Sequence, residues 1–225
     1  MGIETLNSYA KQLGLGEKTG VELSGEVAGN LAGPESRAAT GDTWWPGETL
    51  QAAIGQSYSL FTPLQLAEYC ATIANGGTRH SASILKSVRS YDGSELIYEN
   101  QAEVLSAVET SDYNWAAVQK GMYLVANDRA GSAYETFGDY GVKVAAKTGT
   151  AQLGDNQVNT AIFISYAPYD NPKVPVAVLV EHGRAGPSIP SIAPAFPAPH
   201  FPSPPLPPAP ASPPPRPPPP SPAPP

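Results

Sequence analysis

The sequence predicts an α+β domain, an antiparallel sheet with flanking helices, followed by a proline-rich segment of different character. Three observations carry that reading. Runs with helical spacing occupy residues 3 to 13, 62 to 74 and 111 to 125. Between residues 142 and 181 three apolar runs follow one another across short turns, the pattern of an antiparallel meander. Of the 27 prolines, 21 lie beyond residue 183, so the division expected is a domain over 1–183 and a low-complexity tail over 184–225.

In chain order, Ile3, Leu6, Tyr9, Ala10 and Leu13 share a helical face, and the run stops at Gly14-Leu15-Gly16, a helix exit. A chain that opens directly on a helix is expected to begin inside a domain. Residues 16 to 50 hold seven glycines, two prolines and the pair Trp44-Trp45, and read as an extended, mostly irregular excursion in which the tryptophans pack. Thr62 as N-cap with Pro63 at the first helical position starts the next helix. Its predicted buried stripe is Leu64, Ala67, Cys70, Ala71, Ile73 and Ala74, and Asn75-Gly76-Gly77 ends it. Residues 84 to 89 and 95 to 98 alternate around Asp92-Gly93, which predicts a hairpin. Ser111-Asp112 opens a helix with Trp115, Val118, Met122 and Val125 on one face. The meander then runs through 142–146, 160–166 and 175–181, with turns at Asp155-Asn156 and Tyr169 to Pro172.

Composition excludes several functions. Through residue 183 the chain has 11 basic and 20 acidic residues, a net charge of −9 with no basic run, which argues against a nucleic-acid partner. Cys70, the single cysteine, excludes an internal disulfide and sits in an apolar run as a packed thiol. The scattered His80, His182 and His200 offer no metal-ligand spacing, and no cofactor is implied. There is no signal peptide and no apolar run near the ~18 residues a membrane span needs. The segment from Arg184 to Pro225 has no acidic residue and is half proline, so it favours polyproline II or disorder and cannot bury a core. A ligand for a proline-binding module is the non-enzymatic alternative for it.

The chemistry concentrates in one strand. Val142, Val144 and Ala146 alternate into Lys147-Thr148-Gly149-Thr150, which sets a cation, two hydroxyls and a glycine at a strand's end. Lys147 and Thr150 suit a carboxylate, and Gly149 admits another backbone at close range. Chance predicts about 0.04 Lys-Thr-Gly tripeptides for this composition. A second one, Lys18-Thr19-Gly20, lies in a glycine-punctuated segment that reads as a loop. A phosphate-binding P-loop is excluded, because the glycine required before the lysine is replaced by Ala146. Serine acyl transfer needs a nucleophile with a lysine one turn on, S-x-x-K, and a second hydroxyl in S-x-N. S-x-N is absent from these 225 residues, and S-x-x-K occurs as Ser8–Lys11 and Ser83–Lys86. Ser83 is read as part of a hairpin strand, where residues three apart face opposite ways.

Four motifs occur in order: Pro46-Gly47-Glu48-Thr49 with Ala53-Ile54-Gly55-Gln56, Thr62-Pro63-Leu64-Gln65-Leu66-Ala67, Ala74-Asn75-Gly76-Gly77, and Ala146 to Gln152. Over residues 1 to about 183 the chain resembles the penicillin-binding, β-lactamase-like transpeptidase domain of the class B penicillin-binding proteins, most closely the elongation-specific penicillin-binding protein 2 branch. The resemblance implies a peptidoglycan D,D-transpeptidase whose nucleophile and S-x-N motifs precede the helix ending at Gly14, so that Ser8 matches no active-site serine. It implies that Lys147 raises positive potential at the donor's terminal carboxylate and hydrogen-bonds the active-site hydroxyls. Thr148 or, in preference, Thr150 binds that carboxylate, and the Thr150 N–H forms half of an oxyanion hole. Gly149 completes the motif, while Ala151 and Gln152 extend the edge that a stem peptide ending in D-Ala-D-Ala, or a β-lactam, would line. The family's partners are elongation-complex proteins, and its place is the extracytoplasmic side of the bacterial inner membrane, held by an N-terminal anchor. With the nucleophile motifs missing, the chain alone is expected to be inactive. A β-lactamase or D,D-carboxypeptidase fragment of the same superfamily is the alternative, against which Pro46-Gly47-Glu48 and Gly55-Gln56-Ser57 argue.

Overall fold

A computed structural model describes residues 2–154, 157–183, 185, 186 and 189. The elements run α1 (Ile3–Gln12), α2 (Pro34–Ala39), α3 (Pro46–Ala53), α4 (Pro63–Ala74), β1 (Thr78–His80), β2 (Ser87–Arg89), β3 (Leu96–Glu99), β4 (Val104–Ala107), α5 (Asp112–Asn127), α6 (Tyr134–Phe137), β5 (Ala145–Ala151), β6 (Thr160–Ala167) and β7 (Val174–Val180). The architecture is the mixed one expected, with β5, β6 and β7 forming the antiparallel meander in that order. The predicted turn at Asp155-Asn156 and the segment from 190 onward lie outside the described residues.

Period-two alternation sends the sheet's side chains into two separate clusters. On one face Val144, Ala146, Ala161, Phe163 and Ala167 pack with Ala126, Ala133, Phe137 and Ile189. On the other, Ala145, Ile164 and Tyr166 pack with Cys70 and Ile73 of α4 and Met122 of α5. Helix α5 therefore serves both clusters, and Asn127 near its end donates to Val144 O at 2.7 Å, tying the helix to the entry of β5. Burial pushes the Cys70 thiol up to about 12, which makes it an inert packing group. Packing continues past residue 183, since Ile189 is 2% exposed.

Local signals explain the helix starts. The Thr62 hydroxyl accepts from Gln65 N at 3.2 Å while Gln65 Oε1 accepts from Thr62 N at 2.9 Å, a reciprocal cap. Ser111 Oγ accepts from Asn114 N at 3.3 Å at the start of α5. The hairpin forms with Arg89 opposite Leu96, although its first strand is shorter than predicted and Ser83 precedes it in a loop. Gly77 follows α4 with φ +103, and a Cβ there would stand 2.3 Å from Trp115 Cζ2, so helix α5 can cross this turn only over a glycine.

Three expectations need correction, and residues 16 to 50, mostly irregular as expected, also hold α2 and the start of α3, each helix with proline in its first turn. Trp44 is half-buried against Ile3 and Ala32, but Trp45 is exposed and does not pack as its neighbour does. The buried stripe of α4 includes Gln65, Glu68 and Thr72, while Leu64 is exposed. On α5, Val118 is exposed and the buried residues are Met122 and Ala126. The pairing of β1 with β4 and the short α6 carry no local sequence signal.

Glu68 is buried in α4 because Arg79, itself 2% exposed, reaches it from β1. Arg79 donates to Glu68 Oε2 at 3.0 Å, to Glu17 Oε2 at 2.8 Å and to Lys18 O at 2.7 Å. Gln65 similarly turns inward to donate to Ala28 O at 2.7 Å and to Glu17 O. These buried polar groups fasten the 16–30 segment to α4. Burial outweighs the pull of Arg79 and raises Glu68 to about 7, with the charges of Glu26 and Glu17 adding to the rise.

The sign of the consequence follows from linkage. The folded chain holds a proton on Glu68 up to about 7, whereas the unfolded chain releases it near 4.5. Stability from this group is fully present below 4.5 and is lost as pH rises through 7. Urea denaturation from about pH 5 to 8 is expected to show falling stability, and Glu68→Gln to flatten that slope. Arg79→Met should cost about 3–5 kcal/mol at high pH by stranding the buried carboxylate, and less at low pH where Glu68 is neutral.

Candidate functional site

Strand β5 is buried at its start and exposed from its third residue on. Ala145 and Ala146 are fully buried, Lys147 and Thr150 are exposed, and Thr148, Gly149 and Ala151 are half-buried. Register with β6 is unbroken, setting Lys147 opposite Ile164, Thr148 opposite Phe163, Gly149 opposite Ile162 and Thr150 opposite Ala161. Among the described residues β6 is its one sheet neighbour, so β5 is an edge strand.

Alternation divides the motif between faces. Thr148 and Thr150 continue the side of Val144 and Ala146, and Lys147 continues the side of Ala145. The lysine's long stem folds back, and Nζ donates to Thr148 O at 2.7 Å. Among the described residues no carboxylate pairs with Lys147. Each threonine hydroxyl has a partner from outside the strand. Thr148 Oγ1 lies 2.9 Å from Ser132 Oγ, and Thr150 Oγ1 accepts from Gly186 N at 2.9 Å. The Thr150 carbonyl accepts from Gln56 Nε2 at 3.3 Å.

At Gly149 a Cβ would meet Ile162 Cβ at 3.4 Å, an ordinary contact, so the sheet does not demand glycine there. The chain's own backbone makes the close approach. A Cβ on Gly186 would fall 2.2 Å from Gly149 O, so the two backbones touch where only glycine fits. Ala151 ends the strand opposite Thr160, and Gln152 is exposed beyond it.

The other candidates fall to structural roles. Lys18-Thr19-Gly20 is a loop in which Thr19 is fully buried, its hydroxyl donating to Glu26 Oε1 at 2.6 Å and its N–H to the same oxygen at 2.7 Å. Ser8 Oγ accepts from Gln12 Nε2 at 3.4 Å, and Lys11 lies 4.0 Å from Glu35 rather than on Ser8. Ser83 donates to Glu22, and Leu85 O lies 3.1 Å from the same hydroxyl. Because Ser83 sits in a loop, the expected strand geometry is not what separates it from Lys86; its hydroxyl is already spent on Glu22. In Pro46-Gly47-Glu48, the glutamate accepts from Trp45 N at 2.8 Å and pairs with Arg37, so it caps α3 and anchors α2. The best-formed surface cavity is lined by α1 and residues 31 to 35, with nothing from β5. Among the described residues no cluster of His, Cys, Asp or Glu could hold a metal, and no helix is long and apolar enough to cross a membrane.

Sequence reasoning had no role for Ser132, Gln56 or Gly186. Each meets the motif from a loop distant in sequence, where neither alternation nor helical spacing leaves a trace. The nearest signals were the glycines beside them.

Comparison with known proteins agrees with this picture. Residues 1–196 match the penicillin-binding protein transpeptidase domain. The peptidoglycan D,D-transpeptidase MrdA of Haemophilus influenzae is 33% identical over 204 residues, covering 84% of this chain and 31% of that protein. Penicillin-binding protein 2A of Bacillus subtilis is 36% identical over 191 residues, covering 79% of this chain and 25% of that one. Among solved structures, Pseudomonas aeruginosa PBP2 in complex with WCK 5153 superposes with a TM-score of 0.75 at 30% identity, covering 88% of this chain and 44% of that chain. Helicobacter pylori PBP2 in complex with MreC gives 0.70 at 30% identity, with 86% and 35% covered. The chain thus spans about a third of the length of the curated MrdA relatives it matches.

The two Lys-Thr-Gly tripeptides should respond oppositely to loss of a hydroxyl. Thr19→Val is expected to destabilise the fold by about 1–3 kcal/mol, because the half-buried Glu26 carboxylate loses one of its two donors from the fully buried Thr19. Thr148→Val, which leaves only the exposed Ser132 hydroxyl for water to satisfy, should change stability by less than about 0.5 kcal/mol. Chemical denaturation of both variants distinguishes the two cases.

Proposed function

The chain belongs to the penicillin-binding protein transpeptidase family, in its penicillin-binding protein 2 branch, and on that premise we propose that β5 is the carboxylate-binding wall of a peptidoglycan D,D-transpeptidase site. The observation that carries the reading is an exposed lysine, unpaired with any described carboxylate, beside two hydroxyls on an edge strand. Lys147 supplies positive potential for the terminal carboxylate of a D-Ala-D-Ala stem or of a β-lactam that mimics it. At Thr150 the Gly186 N–H occupies an acceptor site of the hydroxyl oxygen, which leaves the single O–H free to donate to that carboxylate. The Thr150 N–H contributes half of an oxyanion hole, and Ala151 and Gln152 extend the edge along which the peptide adds as a strand.

In a whole transpeptidase, a serine attacks the carbonyl between the two terminal D-alanines, D-Ala leaves, and the acyl group passes to an amine of a neighbouring stem. These 225 residues contain no S-x-N, and both S-x-x-K serines are engaged away from β5. We therefore assign them binding without acylation. The proposal extends to the setting: an extracytoplasmic site at the bacterial inner membrane, working among elongation-complex proteins.

A fluorescent penicillin should leave no band that survives denaturation; a labelled band tracking the intact chain would refute the assignment of binding alone. N-acetyl-D-alanyl-D-alanine, titrated by NMR, should perturb the amides of residues 147 to 151. Lys147→Ala should weaken that binding about tenfold or more, the worth of one charge-assisted hydrogen bond. Equal affinity in the variant would sink the carboxylate assignment.

A further inference from the structure

Resting on the reading just given, we infer that Ser132 is a positioning residue that acts through Thr148 to set the site for an anionic ligand terminus. The placement of Ser132 is built rather than incidental. It is the middle of Gly131-Ser132-Ala133, between α5 and α6, and both flanking residues are pinned. Gly131 is pressed onto the end of α5, where a Cβ would fall 2.3 Å from Val125 O and 2.4 Å from Leu124 O, so no larger residue fits without moving the helix end. Its N–H donates to Asp128 O at 2.8 Å. Ala133 is 1% exposed within the apolar cluster and donates to Val125 O at 3.0 Å. Held on both sides, exposed Ser132 extends its hydroxyl to Thr148 Oγ1 at 2.9 Å.

Either hydroxyl can donate in that contact, and an anionic ligand selects the direction. Each hydroxyl has one proton and two acceptor sites, so only one of the two protons lies in the contact. If Thr148 donated to Ser132, its oxygen would face the ligand side with lone pairs and repel an anion. With Ser132 donating, the Thr148 proton is free to point outward, and the chain Ser132 O–H to Thr148 O–H to carboxylate polarises in one sense. Thr150 has the same arrangement, with a backbone N–H in place of Ser132. The two threonines, two residues apart on one face, thereby become a pair of donors aimed at one anion, and Ser132 is what makes the first of them so. Its exposure means that the fold gains little from it, because water can satisfy either hydroxyl if the pair is broken.

The test compares the full chain with Ser132→Ala and Ser132→Thr, using N-acetyl-D-alanyl-D-alanine and its C-terminal amide as probes. The expected result is that wild type and Ser132→Thr prefer the carboxylate, while Ser132→Ala loses about fivefold of that preference, the worth of one neutral hydrogen bond. Its thermal midpoint should stay at the wild-type value. Three-bond couplings should show one Thr148 χ1 rotamer in wild type and Ser132→Thr, and averaging in Ser132→Ala. An unchanged carboxylate-to-amide ratio in Ser132→Ala, or a Thr148 rotamer that stays fixed, overturns the role of Ser132 while leaving the binding wall intact. A wild-type chain that does not distinguish carboxylate from amide overturns the binding wall itself, and the role of Ser132 with it.

Discussion

Everything at the candidate site depends on one strand being gripped on both faces at its first two residues and opening toward solvent beyond them. Ala145 and Ala146 are each fully buried, in opposite clusters, so β5 is gripped from both sides just before Lys147. Small side chains are what allow this, since α4 and α5 close on one face and α5, α6 and Ile189 on the other. Asn127 adds a polar fastening at Val144 O. With two successive residues clamped and register to β6 continuous, the exposed half inherits a fixed direction and cannot slip without exchanging its faces. The direction of Lys147, Thr148 and Thr150 is thus set before the strand reaches them.

How much of this was readable in the sequence depended on whether the partner was near or far. The meander was legible because Val144, Ala146, Ile162 and Ile164 report their own alternation, and the starts of α4 and α5 because Thr62 and Ser111 cap their own helices. Helices α2 and α3 were not, since their glycine-rich surroundings read as loop and their anchor is the distant pair Arg37–Glu48. The wrong stripe on α4 has the same origin. Gln65 and Glu68 look like surface residues until Arg79 and the carbonyls of the 16–30 segment arrive. At the site, Lys147 to Thr150 could be named from sequence and Gln56 only as part of the Gly55-Gln56-Ser57 motif, while Ser132 and Gly186 could not, because a hydroxyl-to-hydroxyl or amide contact across 16 residues or more imposes no pattern on either segment.

Charge works against an anion site here on the large scale and for it on the small. The chain through residue 183 carries −9, a field that repels carboxylates at long range. Beyond about 10 Å in physiological salt that repulsion is mostly screened, whereas contacts within hydrogen-bonding distance are not. Recognition must then come from local donors and from a lysine kept free of the many nearby acids. The other buried or capping cations illustrate the contrast: Arg37 and Arg79 are each paired with two carboxylates and have no capacity left for a ligand.

The duplicated tripeptide shows what separates a chemical motif from its letters. At Lys18-Thr19-Gly20 the hydroxyl's one proton is given to Glu26, the side chain is buried, and the lysine's carbonyl is held by Arg79. That hydroxyl has nothing left to offer a ligand. At Lys147-Thr148-Gly149-Thr150 the lysine is exposed, and the described partner of the Thr150 hydroxyl is an N–H, which occupies an acceptor site and does not use the proton. A hydroxyl that receives from its own protein and donates to no described residue is a donor in reserve, and such a donor is the group a carboxylate needs. Binding capacity at this edge therefore follows from which end of each hydroxyl the fold has already used, a property of the surroundings that the tripeptide alone does not encode.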